Sequence, residues 1–158
     1  MITYREYQGP DWRAICRIHD RARPDELIGS CDPRGFIPIE QDKEVEDLKH
    51  SRKFVACIDE QVVGFVGVDE DYLAWLYVDP SHYGKSIGRE LLRIGIREIG
   101  ESAWTIVLDG NHKAISLYES EGFREANRFA GDNNGYPCTC LRMERRESSS
   151  SRKNIGTM

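Results

Sequence analysis

The chain predicts an α/β (α+β) fold, a mixed and mostly antiparallel central sheet of about six to seven strands with helices on both faces. Three observations predict it. Runs of β-branched and aromatic residues at 54–58, 62–68 and 72–78 follow one another with only tight turns between them, as in an antiparallel meander. A glycine-bearing loop and a helix then lead to a short, wholly apolar run at 104–108, which reads as a buried strand parallel to 72–78 and reached by a right-handed crossover. The chain has 158 residues, 39% of them apolar and 31% charged, which fits one compact domain.

The elements follow in order. Ile2 to Tyr7 alternates as a first strand and ends at Gln8-Gly9-Pro10. Asp11 is placed to cap a helix whose Trp12, Ile15, Cys16, Ile18 and His19 recur at spacings of three and four, and Arg23-Pro24 should end it. The stretch from Pro24 to Ile39, punctuated by Gly29, Pro33, Gly35 and Pro38, reads as a long loop of the kind that binds ligands. A polar helix is expected from Glu40 to His50, then a hairpin around Asp59-Glu60-Gln61, an acidic turn at Asp69-Glu70-Asp71 and the strand Tyr72 to Val78. After the loop, Ile87, Leu91, Leu92, Ile96 and Ile99 line one helix face, and Gly100 can stop it. Asn111 caps a further helix that aligns Ala114, Leu117, Tyr118 and Glu121 and ends at Gly122-Phe123. Two last strands, Glu125 to Phe129 and Pro137 to Met143, flank a turn at 131–135. The domain is expected to span 1–145, with 146–158 a disordered polar tail.

The formal net charge of -5 argues against a broad nucleic-acid or anionic-membrane footprint. No run approaches the roughly 18 apolar residues of a membrane span, and Met1-Ile2-Thr3-Tyr4-Arg5-Glu6 has no leader pattern, so the expected location is the cytoplasm. The five cysteines, Cys16, Cys31, Cys57, Cys138 and Cys140, are odd in number and scattered, which fits reduced thiols rather than a disulfide framework. Zinc sites usually pair cysteines at wider spacing than Cys138 and Cys140, and no His pair accompanies these two; no metal is expected.

The segment Leu76 to Leu92 carries the functional signal. A strand stops at Asp79-Pro80, a loop holds Gly84 and Gly88, and an apolar-periodic helix opens at once. Loop amides and the first amides of the helix lack intrahelical partners and point the same way, which suits phosphate groups. The Walker spacing is absent, because no glycine stands five positions before Gly84. The dinucleotide triple-glycine fingerprint is absent too, and the strands before the loop form a meander rather than a βαβ unit.

A second segment, Asn111-x-x-Ala114-x-x-Leu117-Tyr118-x-x-x-Gly122-Phe123, stands one strand downstream. Together with Val78-Asp79-Pro80, Gly88 and Leu91-Leu92, it resembles the general-control-related N-acetyltransferase (GNAT) superfamily over roughly Val62 to Phe123. The second segment matches without substitution; the loop departs at Tyr83, where the family prefers Arg or Gln, and at Ser86, where it prefers Gly. Two outcomes are open for Ser86: a left-handed backbone with its steric cost, or a hydroxyl that caps the helix and faces phosphate. Lys85 or Arg89 can supply the charge that Tyr83 lacks.

The resemblance implies acetyl transfer from acetyl-coenzyme A to a primary amine by direct attack in a ternary complex. It implies coenzyme contacts at Tyr83, Gly84, Lys85, Ser86, Ile87, Gly88, Arg89, Asn111, Ala114 and Tyr118, and along the backbone of Leu76, Tyr77 and Val78. The Leu76 amide is expected at the thioester carbonyl, and Tyr118, protonated at neutral pH, is expected to donate a proton to the leaving thiolate. Members of the family often carry a Glu near position 75; Trp75 stands there and accepts no proton, so Glu70 and Asp71 on the acidic turn, with Asp69, are the candidate bases through water. His19 reads as a packed core histidine, while His82 lies at the phosphate end and His112 at an exposed helix start. Arg34, Phe36, Trp75 and Tyr136 are expected to line the acceptor side. A homodimer is compatible with the family. A non-catalytic acyl-coenzyme A-binding domain and a purely structural module are the alternative readings.

Overall fold

The structure, a computed structural model, describes residues 1–146. Its elements are β1 (Ile2–Glu6), α1 (Trp12–Leu27), α2 (Val45–His50), β2 (Arg52–Ile58), β3 (Gln61–Asp69), β4 (Tyr72–Val78), α3 (Ile87–Ile99), β5 (Ser102–Leu108), α4 (His112–Ser120), β6 (Arg124–Asn133) and β7 (Tyr136–Arg146). The sheet has seven strands in the order β1-β2-β3-β4-β5-β7-β6. Only β4 and β5 run parallel; the other neighbours are antiparallel. The expected mixed, mostly antiparallel sheet is the one found.

Strand alternation builds two cores. Phe54, Ala56, Val66 and Leu73 turn one way and meet Ile87, Leu91, Leu92 and Ile96 of α3, with Tyr118 and Phe123 completing that layer. Val55, Cys57 and Phe65 turn the other way onto Ile15, Cys16 and Ile18 of α1 and Leu48 of α2. The β2–β3 turn places Asp59 and Glu60 at φ 49° and 68°, so this tight hairpin carries two left-handed residues.

Four expectations are corrected. α1 continues through Pro24 to Leu27. Pro24 removes one helical donor, but Arg23 bonds Glu26 at 3.0 Å and Leu27 is fully buried beside Leu108 and Cys140, so the last turn holds. Asp11 does not cap α1 with its side chain; it accepts from Arg5 at 2.8 and 3.0 Å and from the Gln8 amide at 2.8 Å, tying β1 to the helix start. The helix expected at 40–50 is only α2, preceded by a 3-10 turn at Ile39–Gln41. Its C-terminus is closed by the buried Lys53 ammonium, which donates to the carbonyls of Leu48, Ser51 and Lys49 at 2.8, 2.9 and 3.2 Å. Finally, β6 and β7 run on to a two-residue turn, Asn134-Gly135, with φ 51° and 93°. Arg146 closes β7 opposite Ser102, and the rest of the expected tail lies outside the described residues.

Candidate active site

The site begins where β4 and β5 part. The two strands share a single ladder pair, Tyr72↔Trp104, held by the Trp104 amide donating to Asp71 O at 3.0 Å and by the Thr105 hydroxyl donating to Leu73 O at 2.8 Å. A register shift follows, with Trp75 opposite Gly67 and Leu73 opposite Val68, so Ala74 is an inserted residue. The insertion changes which residues face which edge. The Asp79 amide donates to Val63 O at 2.8 Å on β3. Amides alternate along a strand, so Tyr77 also faces β3 while Leu76 and Val78 turn toward the opening beside β5. Of the three backbone positions expected to contact a ligand, Leu76 and Val78 thus face the gap and the Tyr77 amide does not.

The loop after β4 is set by its acidic and glycine residues. The Asp79 carboxylate accepts from the Ser81 amide at 2.9 Å and from Arg21 at 2.8 and 2.9 Å, fixing the turn at Pro80–His82. Gly84 takes φ 81° and Ser86 takes φ 61°, ψ 17°, and the Ser86 hydroxyl makes no cap bond. Of the two outcomes open for Ser86, the left-handed one is realised. A methyl group on Gly88 would meet only Val78 and Leu117, at 3.7 and 3.9 Å, so internal packing does not demand glycine there. Residues Tyr83 to Ser86 are all exposed, and the α3 amides behind them open toward solvent. The two side-chain cations expected here part company. Arg89 turns away to Glu121 at 2.6 Å and Ser120 at 2.8 Å, and Lys85 lies 2.8 Å from His82 Nδ1.

The motif on α4 forms the other wall. Asn111 is the N-cap, its Oδ1 accepting from the Ala114 amide at 3.4 Å, and Ala114 packs on the α3-side core. Tyr118 is buried, packs edge-on to Phe123 with centroids 5.4 Å apart, and reaches the cavity beside Thr105. Burial, and then the negative charge of Glu26, push its hydroxyl well above the ordinary tyrosine range.

A cavity of about 210 Å³ opens at the splay, with Leu76 and Tyr118 in its wall and His19, Arg23, Glu26 and Trp75 on the α1 side. Glu26 is half-buried and accepts from Arg23 at 3.0 Å; burial, and then the Glu26 charge, raise the pKa of the neighbouring Tyr77 hydroxyl. Glu44 stands exposed at the rim, where desolvation by the surrounding wall, and then the Asp42 carboxylate, raise its pKa. Phe36 and Trp75 border the cavity as expected. Arg34 and Tyr136 do not; Arg34 pairs with Asp32 at 2.7 Å and lies over the Tyr136 ring. Glu70 and Asp71 also stay outside, on an exposed turn where Asp71 accepts from the Trp104 indole at 2.9 Å. A tight two-residue turn at the far end of β4 cannot bring them to Leu76. His19 is buried between Trp75 and Tyr77, as expected.

Reading the residues alone missed Arg23 and Glu26. The available signal was the stripe His19, Arg23, Glu26, where the core-facing side of α1 turns polar at helical spacing; ending the helix at Pro24 broke that stripe.

A sheet opened between its two parallel strands, with a glycine loop at one end and a buried tyrosine in the gap, defines an acyltransferase scaffold. Residues 49–125 match the family described as acetyltransferase (GNAT) domain. The chain is 29% identical over 126 residues to the uncharacterized N-acetyltransferase YafP of Escherichia coli, covering 78% of this chain and 81% of that one. It is 29% identical over 114 residues to the peptidyl-lysine N-acetyltransferase YjaB of Escherichia coli, covering 68% and 77%. Among solved structures, yncA of Salmonella typhimurium, a putative acetyltransferase described with its cofactor acetyl-CoA, superposes with a TM-score of 0.70 at 21% identity over 92% of this chain and 94% of that one. The family match and the N-acetyltransferase relatives together identify residues 49–125 as a GNAT domain and the chain as an acyltransferase.

Proposed function

We propose that this acyltransferase moves an acetyl group from acetyl-coenzyme A to a primary amine by direct attack in a ternary complex. The observation that carries the reading is the splay itself: the Leu76 amide faces a gap with Tyr118 on one side of the sheet and Glu26 on the other. The residues present fit the coenzyme. Amides of the exposed stretch up to Ser86 and the first amides of α3 suit its diphosphate, the open β4 edge at Leu76 and Val78 suits an added strand-like arm, and Gly88 and Ala114 keep the path clear. The acetyl-CoA described with the Salmonella typhimurium neighbour supports this choice of donor.

The roles follow from position. The Leu76 amide hydrogen-bonds the oxygen on which negative charge develops. Glu26, on the α1 side, holds the incoming ammonium and takes its proton, leaving a neutral amine. Tyr118, on the opposite side, gives its proton to the departing thiolate, and a hydroxyl with a raised pKa is suited to remain protonated until then. Two protons leave the nitrogen: Glu26 takes the first before attack and later releases it to solvent, and the nitrogen of the tetrahedral species loses the second as the C–S bond breaks, passing it through water to the Tyr118 phenolate and so replacing the proton that Tyr118 gave to sulfur. Asn111 holds the start of α4, and hence Tyr118, in place. Carboxylates at Glu26, Asp42 and Glu44 favour a cationic acceptor.

The test is incubation of the protein with acetyl-coenzyme A and a panel of small amines and lysine peptides. Acetylated amine by mass spectrometry, with equimolar thiol release, is the expected result. Saturable coenzyme binding without product from any amine would point instead to a non-catalytic coenzyme-binding domain.

A further inference from the structure

Lys113 stands in the first turn of α4, exposed, with its ammonium 4.7 Å from the centroid of the Tyr83 ring. Tyr83 belongs to the loop after β4, so this contact joins the two walls of the site. The ring is itself held in place, its hydroxyl donating to Asp25 Oδ2 at 3.0 Å. Among the described residues no carboxylate pairs with Lys113. A cation in the first turn of a helix opposes the positive end of the helix dipole, and the first turn of α4 has no acidic residue to offset it. An unpaired positive charge held against the dipole is a site that an anion would relieve.

The nearby arginines are paired, Arg89 with Glu121 and Ser120 and Arg21 with Asp79 and Ser81, whereas Lys85 of the loop rests on the His82 ring nitrogen. Tyr83 itself brings no charge. We propose that Lys113 is a binding residue for the diphosphate of the coenzyme, adding from α4 a second side-chain charge to that of Lys85 in the loop, with Tyr83 as the surface that positions it. The inference rests on the coenzyme reading above and assigns the charge to a helix outside the loop motif.

The test compares dissociation constants for acetyl-coenzyme A and for S-acetylpantetheine, which has no diphosphate, in wild type, Lys113→Ala and Lys113→Arg. Lys113→Ala should weaken acetyl-coenzyme A about five- to tenfold, with a shallower salt dependence, and leave S-acetylpantetheine unchanged. Lys113→Arg should restore most of the affinity. Equal affinity of Lys113→Ala and wild type for acetyl-coenzyme A overturns the inference, as does an equal loss for both ligands, which would mark a packing effect. Failure of the wild type to bind either ligand overturns the coenzyme reading itself and this inference with it.

Discussion

Replacing Ser86 by glycine should stabilise the protein. Ser86 sits at φ 61°, ψ 17°, where the β-carbon of an L-residue crowds the following carbonyl oxygen at a cost of roughly 1–2 kcal/mol. Its hydroxyl offsets none of this, because it makes no cap bond. Glycine removes the crowding but gives the unfolded chain more freedom, worth roughly 0.5–1 kcal/mol. The net gain is about 0.5–1 kcal/mol, or about 1–4 °C in Tm for a chain of 158 residues. Urea unfolding followed by tryptophan fluorescence should show a higher midpoint at unchanged m-value. Gly84→Ala is the converse control. Gly84 has φ 81° and a β-carbon there would meet nothing within 4 Å, so strain of roughly 1–2 kcal/mol, less the roughly 0.5–1 kcal/mol gained from a stiffer unfolded chain, leaves a net loss of about 0.5–1 kcal/mol. A midpoint unchanged or lowered by Ser86→Gly, alongside a loss in Gly84→Ala, would refute the reasoning.

Tyr118→Phe should lower kcat about a hundredfold while leaving the KM for acetyl-coenzyme A within about threefold, and because burial raises the Tyr118 pKa, wild-type kcat should show no alkaline loss from this group below about pH 10. Glu26→Gln should lower kcat/KM for the amine by about ten- to a hundredfold without changing coenzyme affinity, as steady-state kinetics and calorimetry would show. Glu121 is held below the usual carboxylate range chiefly by its hydrogen bond to Arg93, against the opposing effect of burial, and then by Arg89. A depressed folded pKa stabilises above the unfolded value and fades as pH falls through the folded one. Glu121→Gln should therefore cost about 1 kcal/mol at pH 7, a difference that shrinks below about pH 4 in urea titrations. Leu91→Ala, at a fully buried position between α3 and β3, should cost about 2–5 kcal/mol in the same assay.

What could be read from the residues alone was whatever depends on local periodicity and backbone chemistry. The meander, the crossover helix and the capped α4 each carry their own signal within about a dozen residues. Asn111 and Phe123 stand where spacing places them, and Ser86 adopts one of the two conformations its place in the loop allows. Tertiary effects were not legible. Pro24 looked like a helix end because the packing of Leu27 that overrides it comes from β5 and β7, far along the chain. With that turn read as loop, Glu26 has no place on a helix face, and the remaining carboxylates near the motif lie on the acidic turn, which the length of β4 keeps away from Leu76. Likewise, the pairing of Arg89 with Glu121 depends on how α3 meets α4, and no local pattern announces it.

The central claim is that donor and acceptor meet in one gap and the amine attacks directly. Initial velocities measured while varying acetyl-coenzyme A at several fixed concentrations of an active amine test it most directly. Intersecting double-reciprocal lines, with no acetylated protein detectable by mass spectrometry, are predicted. Parallel lines with a trapped acetyl-protein would contradict it.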